Sequence, residues 1–215
     1  DGMEPLLRRP LSIHRVGAAA GTVELLYEVV GPGTGILSQK KAGDHLSVIG
    51  PLGNTFSFNA KTPDAHAVLV AGGMGVAPLM FLAQRLKADT VTVLIGARTS
   101  AHVLCASDFR KLGCDVRIAT DDGSSGFHGR VTGLLDTILA RKAQAVPALY
   151  GCGPKPMLKA MSGLCGSYGA AAQISLESHM ACGIGACLGC VIQTRQGFQR
   201  VCKEGPVFQA DEVVW

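Results

Sequence analysis

Residues 67–87, AVLVAGGMGVAPLMFLAQRLK, decide the fold. Ala67 to Ala71 is an unbroken apolar run of strand length, which a strand buried on both faces requires. Gly72-Gly73-Met74-Gly75 interrupts it, and Pro78 to Lys87 reads as a helix. Glycines at such a turn remove side chains where a pyrophosphate would meet the N–H groups and dipole of the following helix. A tight strand-to-helix turn needs glycine anyway, so on this motif alone the two readings weigh equally.

Towards the C-terminus the unit repeats. Val91–Gly96 and Val116–Thr120 carry the buried-strand signal again, with a short helix over Ser107–Leu112 between them. Val131–Arg141 has helical spacing at Leu134, Leu135, Ile138 and Leu139. Ala148–Gly151 follows as a strand, Pro154–Leu164 as a helix and Ala172–Leu176 as the last strand. Such alternation predicts right-handed βαβ units and a parallel, Rossmann-like nucleotide domain over residues 63–176. Two further turns, Thr120-Asp121-Asp122-Gly123-Ser124 and Gly151-Cys152-Gly153-Pro154, fall at the carboxyl ends of strands, where open α/β sheets bind ligands. Asp121 and Asp122 read equally well as solvated turn residues, and His66, His102 and His128 show no ligand-like grouping.

Towards the N-terminus the pattern is antiparallel. Leu11–Val16, residues 22–30 (TVELLYEVV) and His45–Ile49 read as strands of a barrel or sheet within residues 1–62. Arg9-Pro10-Leu11-Ser12 precedes the first of these, and a bidentate cation beside a hydroxyl suits a pyrophosphate and a flavin ring. Taken alone, that motif is a surface arginine. The chain opens Asp1-Gly2-Met3-Glu4 without an initiating methionine, and the expectation is a fragment whose first barrel strands are missing.

The last segment, residues 177–215, holds Cys182, Cys187, Cys190 and Cys202 in the spacing C-x4-C-x2-C-x11-C. The first three match plant-type [2Fe–2S] ferredoxins. Gly183, Gly185 and Gly189 let backbone N–H groups approach sulfur, and no charged residue lies between Met180 and Thr194. Structural zinc stays open as an alternative, although only Cys187 and Cys190 form the C-x2-C pair that zinc sites favour. Disulfides are the weakest reading for a chain of this length. Cys105, Cys114 and Cys165 are expected to be small buried residues.

Composition bounds the remaining classes. The chain has 215 residues, 47% hydrophobic and 17% charged, so disorder is excluded. A net charge of +4, with no block of five or six basic residues and Arg8-Arg9 and Lys40-Lys41 as the densest clusters, gives no nucleic-acid stripe. No apolar run is long enough to span a bilayer, and a cytoplasmic protein is expected.

The order of R-P-L-S, Gly33-Thr34, the Gly72 turn and Cys152-Gly153-Pro154 resembles the ferredoxin–NADP reductase superfamily. With the cysteine segment behind it, above all Glu177-Ser178-His179-Met180-Ala181-Cys182, the chain is similar to electron-transfer subunits of class 1B dihydroorotate dehydrogenases. The resemblance implies an α/β fold joined to an all-β, flavin-binding barrel and a C-terminal [2Fe–2S] appendage. It assigns FAD to Arg9, Pro10, Leu11, Ser12, Leu26, Tyr27, Glu28, Gly33 and Thr34. It assigns NAD to Gly72, Gly73, Gly75, Pro78, Cys152, Gly153 and Pro154, and the cluster to the four cysteines of the segment. It implies an FMN-containing dihydroorotate dehydrogenase catalytic subunit as partner, in a heterotetramer. A related subunit of a ferredoxin:NADP oxidoreductase or sulfide dehydrogenase, and a zinc-stabilised module without enzymatic function, are the other readings.

Overall fold

The computed structural model describes residues 6–58, 66–141 and 147–215. The expected domain boundary at 62/63 and the opening residues Asp1 to Glu4 lie outside them. In chain order, β1 (Ile13–Gly17) and β2 (Thr22–Leu25) form an antiparallel pair, followed by a short helix α1 (Pro32–Ser38). The alternating part runs β3 (Ala67–Gly72), α2 (Val76–Arg85), β4 (Val91–Ala97), α3 (Ala106–Lys111), β5 (Asp115–Thr120) and β6 (Phe127–His128). It continues with α4 (Val131–Arg141), β7 (Ala148–Cys152), α5 (Lys155–Ser167) and β8 (Ala172–Ser175). A hairpin of β9 (Val191–Thr194) and β10 (Gly197–Arg200) and a final strand β11 (Val207–Gln209) close the chain.

Seven strands make one sheet in the order β11-β8-β7-β3-β4-β5-β6. All neighbours are parallel except β11, which runs antiparallel to β8. From β3 the chain winds one way through β4, β5 and β6, then crosses to β7 on the opposite side. The topological switch point therefore lies between β3 and β7, which is where ligands of open α/β sheets bind.

β3 shows why the apolar run is continuous. Val68 and Val70 belong to a core with Leu94, Leu135, Leu149, Met161 and Ile174 under α4 and α5. Leu69 and Ala71 face the opposite core, with Leu79, Met80, Ile95 and Phe109 under α2 and α3. A strand covered by helices on both faces has no polar side to alternate with.

The N-terminal strands are shorter than expected. The expected strand over 22–30 ends at Leu25, and His45–Ile49 takes no strand conformation. Leu46, Val48 and Ile49 of that segment are exposed, so its apolar residues lack the packed face that fixes a strand's register. The expected last strand at Ala172–Leu176 is not the last, because β9, β10 and β11 follow it. The cysteine segment is also tied in more deeply than an appendage. It donates β11 to the sheet edge, and Cys190, Val201 and Cys202 join the core under α4 and α5.

Candidate functional site

The loop from Cys182 to Cys190 is shaped by its glycines and one strained leucine. Gly183 and Gly185 sit at φ +71° and +81°, and Leu188 at φ +59°, a conformation uncommon for a residue with a Cβ. The result is a series of amides turned towards sulfur. Ala186 N–H and Cys187 N–H donate to Cys182 Sγ at 3.3 and 3.4 Å, and Gly189 N–H donates to Cys187 Sγ at 3.4 Å. Gly185 N–H reaches Cys202 Sγ at 3.1 Å, and Cys202 N–H reaches Cys190 Sγ at 3.4 Å.

The four thiols fall into two pairs, Cys187 beside Cys182 and Cys190 beside Cys202. Cys190 and Cys202 are buried, Cys182 is half-buried and Cys187 is exposed. Their acidities diverge accordingly. Hydrogen bonds, first from the Cys187 amide and then from Ile184, draw the Cys182 thiol down to about 6. Desolvation, and then the neighbouring Cys190, push the Cys202 thiol up.

This donor set fits a [2Fe–2S] cluster. Two thiols per iron, amides aimed at sulfur and no charged side chain in the loop are what the group asks for. Among the described residues no three His, Cys, Asp or Glu side chains gather tightly enough to hold a single metal ion. Thiols standing two by two suit a binuclear cluster, in which each iron takes two of them.

The loop is braced from both sides. Arg200 Nε donates to Glu204 Oε2 at 2.9 Å, and Arg200 Nη2 makes a further very short bond to Glu204 Oε1. Arg200 draws Glu204 well below the usual carboxylate range, to about 2. On the other side, Asn54 ties the flavin-side segment to the turn after Cys202. Its amide donates to Glu204 O and Val207 O at 2.8 Å each, its side-chain oxygen accepts from Val207 N–H at 2.9 Å, and its own N–H donates to Gly205 O.

At the switch point, the Gly72–Gly75 turn after β3 packs backbone to backbone on Cys152–Pro154 after β7. A Cβ on Gly75 would lie 2.0 Å from Cys152 O, and one on Gly72 would lie 2.8 Å from Pro154 Cδ. Those two glycines are thus required by the contact between turns, whereas Gly73, at φ +53°, borders open space. Pro78 sits in the first turn of α2, where its missing N–H costs no helix bond. Burial, and then the charge of Glu177, push the Cys152 thiol up to about 12, so it stays a neutral thiol.

The flavin-side residues are also brought together. Arg9 packs over Gly33, where an added Cβ would meet its Nε at 3.0 Å, and its Nη1 donates to Leu7 O at 2.6 Å. Thr34 is buried, and its hydroxyl accepts from Val30 and Gly31 N–H at 3.0 and 3.3 Å. Leu26 packs on the sheet core, while Ser12 and Glu28 are exposed. A guanidinium edge without a partner among the described residues, set beside a glycine, fits the pyrophosphate of FAD. Three residues that tie the flavin side to the sheet escape the sequence. Buried His14 holds Nδ1 3.1 Å from Ala77 O in α2, Gln173 pairs its side-chain amide with the Ser57 backbone, and Phe56 stacks edge-on against Tyr150. Only a pattern of long-range pairing could have singled them out.

The comparisons with known proteins agree with this geometry. The chain is 43% identical over 218 residues to the "Dihydroorotate dehydrogenase B (NAD(+)), electron transfer subunit" of Desulforamulus reducens, covering 99% of this chain and 82% of that protein. It belongs to the family of these electron transfer subunits. The counterpart in Geobacillus kaustophilus is also 43% identical, over 98% of this chain and 81% of its own length. The family described as "Iron-sulfur cluster binding domain of dihydroorotate dehydrogenase B" matches residues 177–214, and "Oxidoreductase NAD-binding domain" matches residues 69–163. Among solved structures, the NADH-dependent reduced ferredoxin–NADP oxidoreductase superposes with a TM-score of 0.84 at 31% identity, over 97% of this chain and 75% of that one. The chain is thus an oxidoreductase component with the ferredoxin–NADP reductase build, a C-terminal iron–sulfur segment, and [2Fe–2S], FAD and NAD as its cofactors. Among the described residues no helix is long and apolar enough to cross a membrane.

Proposed function

We propose that this chain passes electrons from an FMN-containing dihydroorotate dehydrogenase subunit to NAD+, by way of a [2Fe–2S] cluster and FAD. The setting is a cytoplasmic heterotetramer that oxidises dihydroorotate to orotate for pyrimidine biosynthesis. Residues 1–62 hold the flavin, 63–176 the nicotinamide nucleotide and 177–215 the cluster. The observation that carries the reading is the pair of thiol pairs, wrapped in sulfur-directed amides and strapped by Asn54 to the flavin-side segment.

When bound, the cluster carries single electrons and FAD joins them to the two-electron chemistry of the nicotinamide. The chain's own residues bind and orient. Cys182, Cys187, Cys190 and Cys202 ligate, and the amides of Gly185, Ala186, Cys187 and Gly189 offset charge at the sulfurs. Arg9 grips FAD, and Thr34 shapes the loop that sets Gly33 beneath it. The open backbone at Gly73 and the N–H groups opening α2 receive the nucleotide phosphates. Cys152, buried and kept neutral, leaves no charge beneath the turn at the carboxyl end of β7. Partner docking finds support in Ile184 and Leu188, which flank exposed Cys187 and are 57% and 62% exposed themselves. Apolar side chains beside the outermost thiol suit a partner that delivers electrons there.

The test separates the two halves. The FAD-loaded protein alone is expected to oxidise NADH with an artificial acceptor and to leave dihydroorotate untouched. Adding the FMN subunit creates NAD-linked dihydroorotate oxidation, and Cys182→Ser abolishes that coupling while sparing NADH oxidation. Coupling at the full rate in Cys182→Ser would mean that electrons bypass the cluster.

A further inference from the structure

We propose that Arg200 tunes the cluster through one peptide unit, the bond joining Gly185 to Ala186. Arg200 Nη1 donates to Gly185 O at 2.7 Å. The N–H at the other end of the same peptide, on Ala186, donates to Cys182 Sγ at 3.3 Å. One amide plane is thus held between a guanidinium and a cysteine sulfur. The partial double bond of a peptide couples its carbonyl to its N–H. A carbonyl bonded to a cation draws electron density from the nitrogen and makes that N–H a stronger donor, since hydrogen bonds in a chain polarise one another.

The surroundings aim Arg200 at that carbonyl. Glu204 engages its Nε, its Nη2 and its backbone N–H, which leaves Nη1 directed at Gly185. The Arg200 carbonyl in turn accepts from the N–H groups of Lys203, Glu204 and Gly205 at 3.1, 2.9 and 3.2 Å, so the residue that points at Gly185 also builds the turn carrying Cys202. Gly185 must lack a side chain, because a Cβ there would lie 3.3 Å from Arg200 Nη1 and 2.8 Å from Lys203 Cδ. Its own N–H donates to Cys202 Sγ at 3.1 Å, so the amides on either side of Gly185 serve one thiol from each pair.

Stronger N–H···S bonds and a nearby positive charge both favour the reduced, more negative cluster and raise its potential. Arg200 is therefore a positioning residue that sets how readily the cluster accepts an electron. The inference rests on the proposed [2Fe–2S] occupancy of the four thiols.

The experiment is a redox titration of the cluster-loaded protein followed by electron paramagnetic resonance, in wild type, Arg200→Gln and Arg200→Lys. Iron and acid-labile sulfide are counted in each, and the hyperfine coupling of deuterium-exchanged amides is recorded. Arg200→Gln is expected to keep iron and sulfide while shifting the one-electron equilibrium about tenfold towards the oxidised cluster, which is ~59 mV lower. The coupling of one exchangeable amide weakens with it. Arg200→Lys keeps the charge without the fork and recovers only part of the shift. An unchanged potential and coupling in Arg200→Gln would overturn the proposal and leave Arg200 a brace. Loss of the cluster from both variants in folded protein would also overturn it, in favour of a role in cluster assembly. A wild-type protein without iron and sulfide would remove the cluster reading itself, before any variant is compared.

Discussion

In β3, Val68, Leu69 and Val70 are fully buried, whereas in the cysteine loop Ile184 and Leu188 stand more than half exposed. The sheet is held by apolar contact on both faces. The loop is held by amides turned to sulfur, an Arg200–Glu204 pair and the Asn54 strap. Apolar burial scales with area and has no direction, so it gives stability without dictating where any one atom sits. A metal cluster needs the opposite: four sulfurs at defined places with their lone pairs partly satisfied. The molecule separates these tasks and lets the two regions meet through Cys190 and Cys202, the buried thiols that belong to the sheet's own core.

The largest expected effect removes the loop's chemistry while leaving the sheet alone. Cys187→Ser should lose essentially all iron and acid-labile sulfide, since a hydroxyl is a poor substitute for a thiolate at iron. Because Cys187 is exposed, circular dichroism and the thermal midpoint of the apo-protein should not move. Full retention of iron and sulfide would take Cys187 out of the ligand set.

Gly75→Ala attacks the sheet instead. Its Cβ would lie 2.0 Å from Cys152 O, in backbone that cannot yield as a side-chain tip can. A loss of about 3 kcal/mol in denaturant unfolding is expected, the upper part of the overpacking range. A wild-type midpoint would show that the two turns separate freely, and the contrast with the loop would blur.

Asn54→Ala tests the strap between the regions. It frees two carbonyls and one N–H, and a cost of about 1–3 kcal/mol is expected for the unpaired groups. Hydrogen exchange should speed up at Val207 and at neighbouring amides while β3 and β4 stay protected. Equal acceleration in β3 would mean that loop and sheet open as one unit.

The smallest effect is acid sensitivity confined to the loop. Glu204 is drawn from 4.5 to about 2, so its folded value lies below its unfolded one. Its contribution is therefore complete above about pH 4.5 and fades as pH falls towards 2. Exchange at amides 200–205 should rise over that window, and Glu204→Gln should flatten the rise. A pH-independent profile in the wild type would show that the pair adds nothing in solution, as many exposed pairs do.

Particular elements show how far the sequence could be read. α4 falls on the expected bounds, Val131–Arg141, because its apolar residues recur at helical spacing against a single face. α2 starts at Val76, two residues before Pro78, since the first turn of a helix has no use for the N–H that proline lacks. The hairpin of β9 and β10 passes unnoticed in VIQTRQGFQR, whose polar residues dilute the alternation. His45–Ile49 looks like a strand by composition, yet strand propensity measures packing against neighbours that the segment does not have here.

Local patterns thus determined what repeats locally: the buried strands, the amphipathic helices, and the cysteine spacing that named a two-iron cluster. Tertiary structure alone decided that two turns 77 residues apart press together at Gly75 and Cys152, that the thiols divide into an inner and an outer pair, and that Arg200 reaches across to Gly185. Periodicity reports only which face of an element is buried, whereas these contacts depend on where separate elements cross, and no short window of sequence carries that distance.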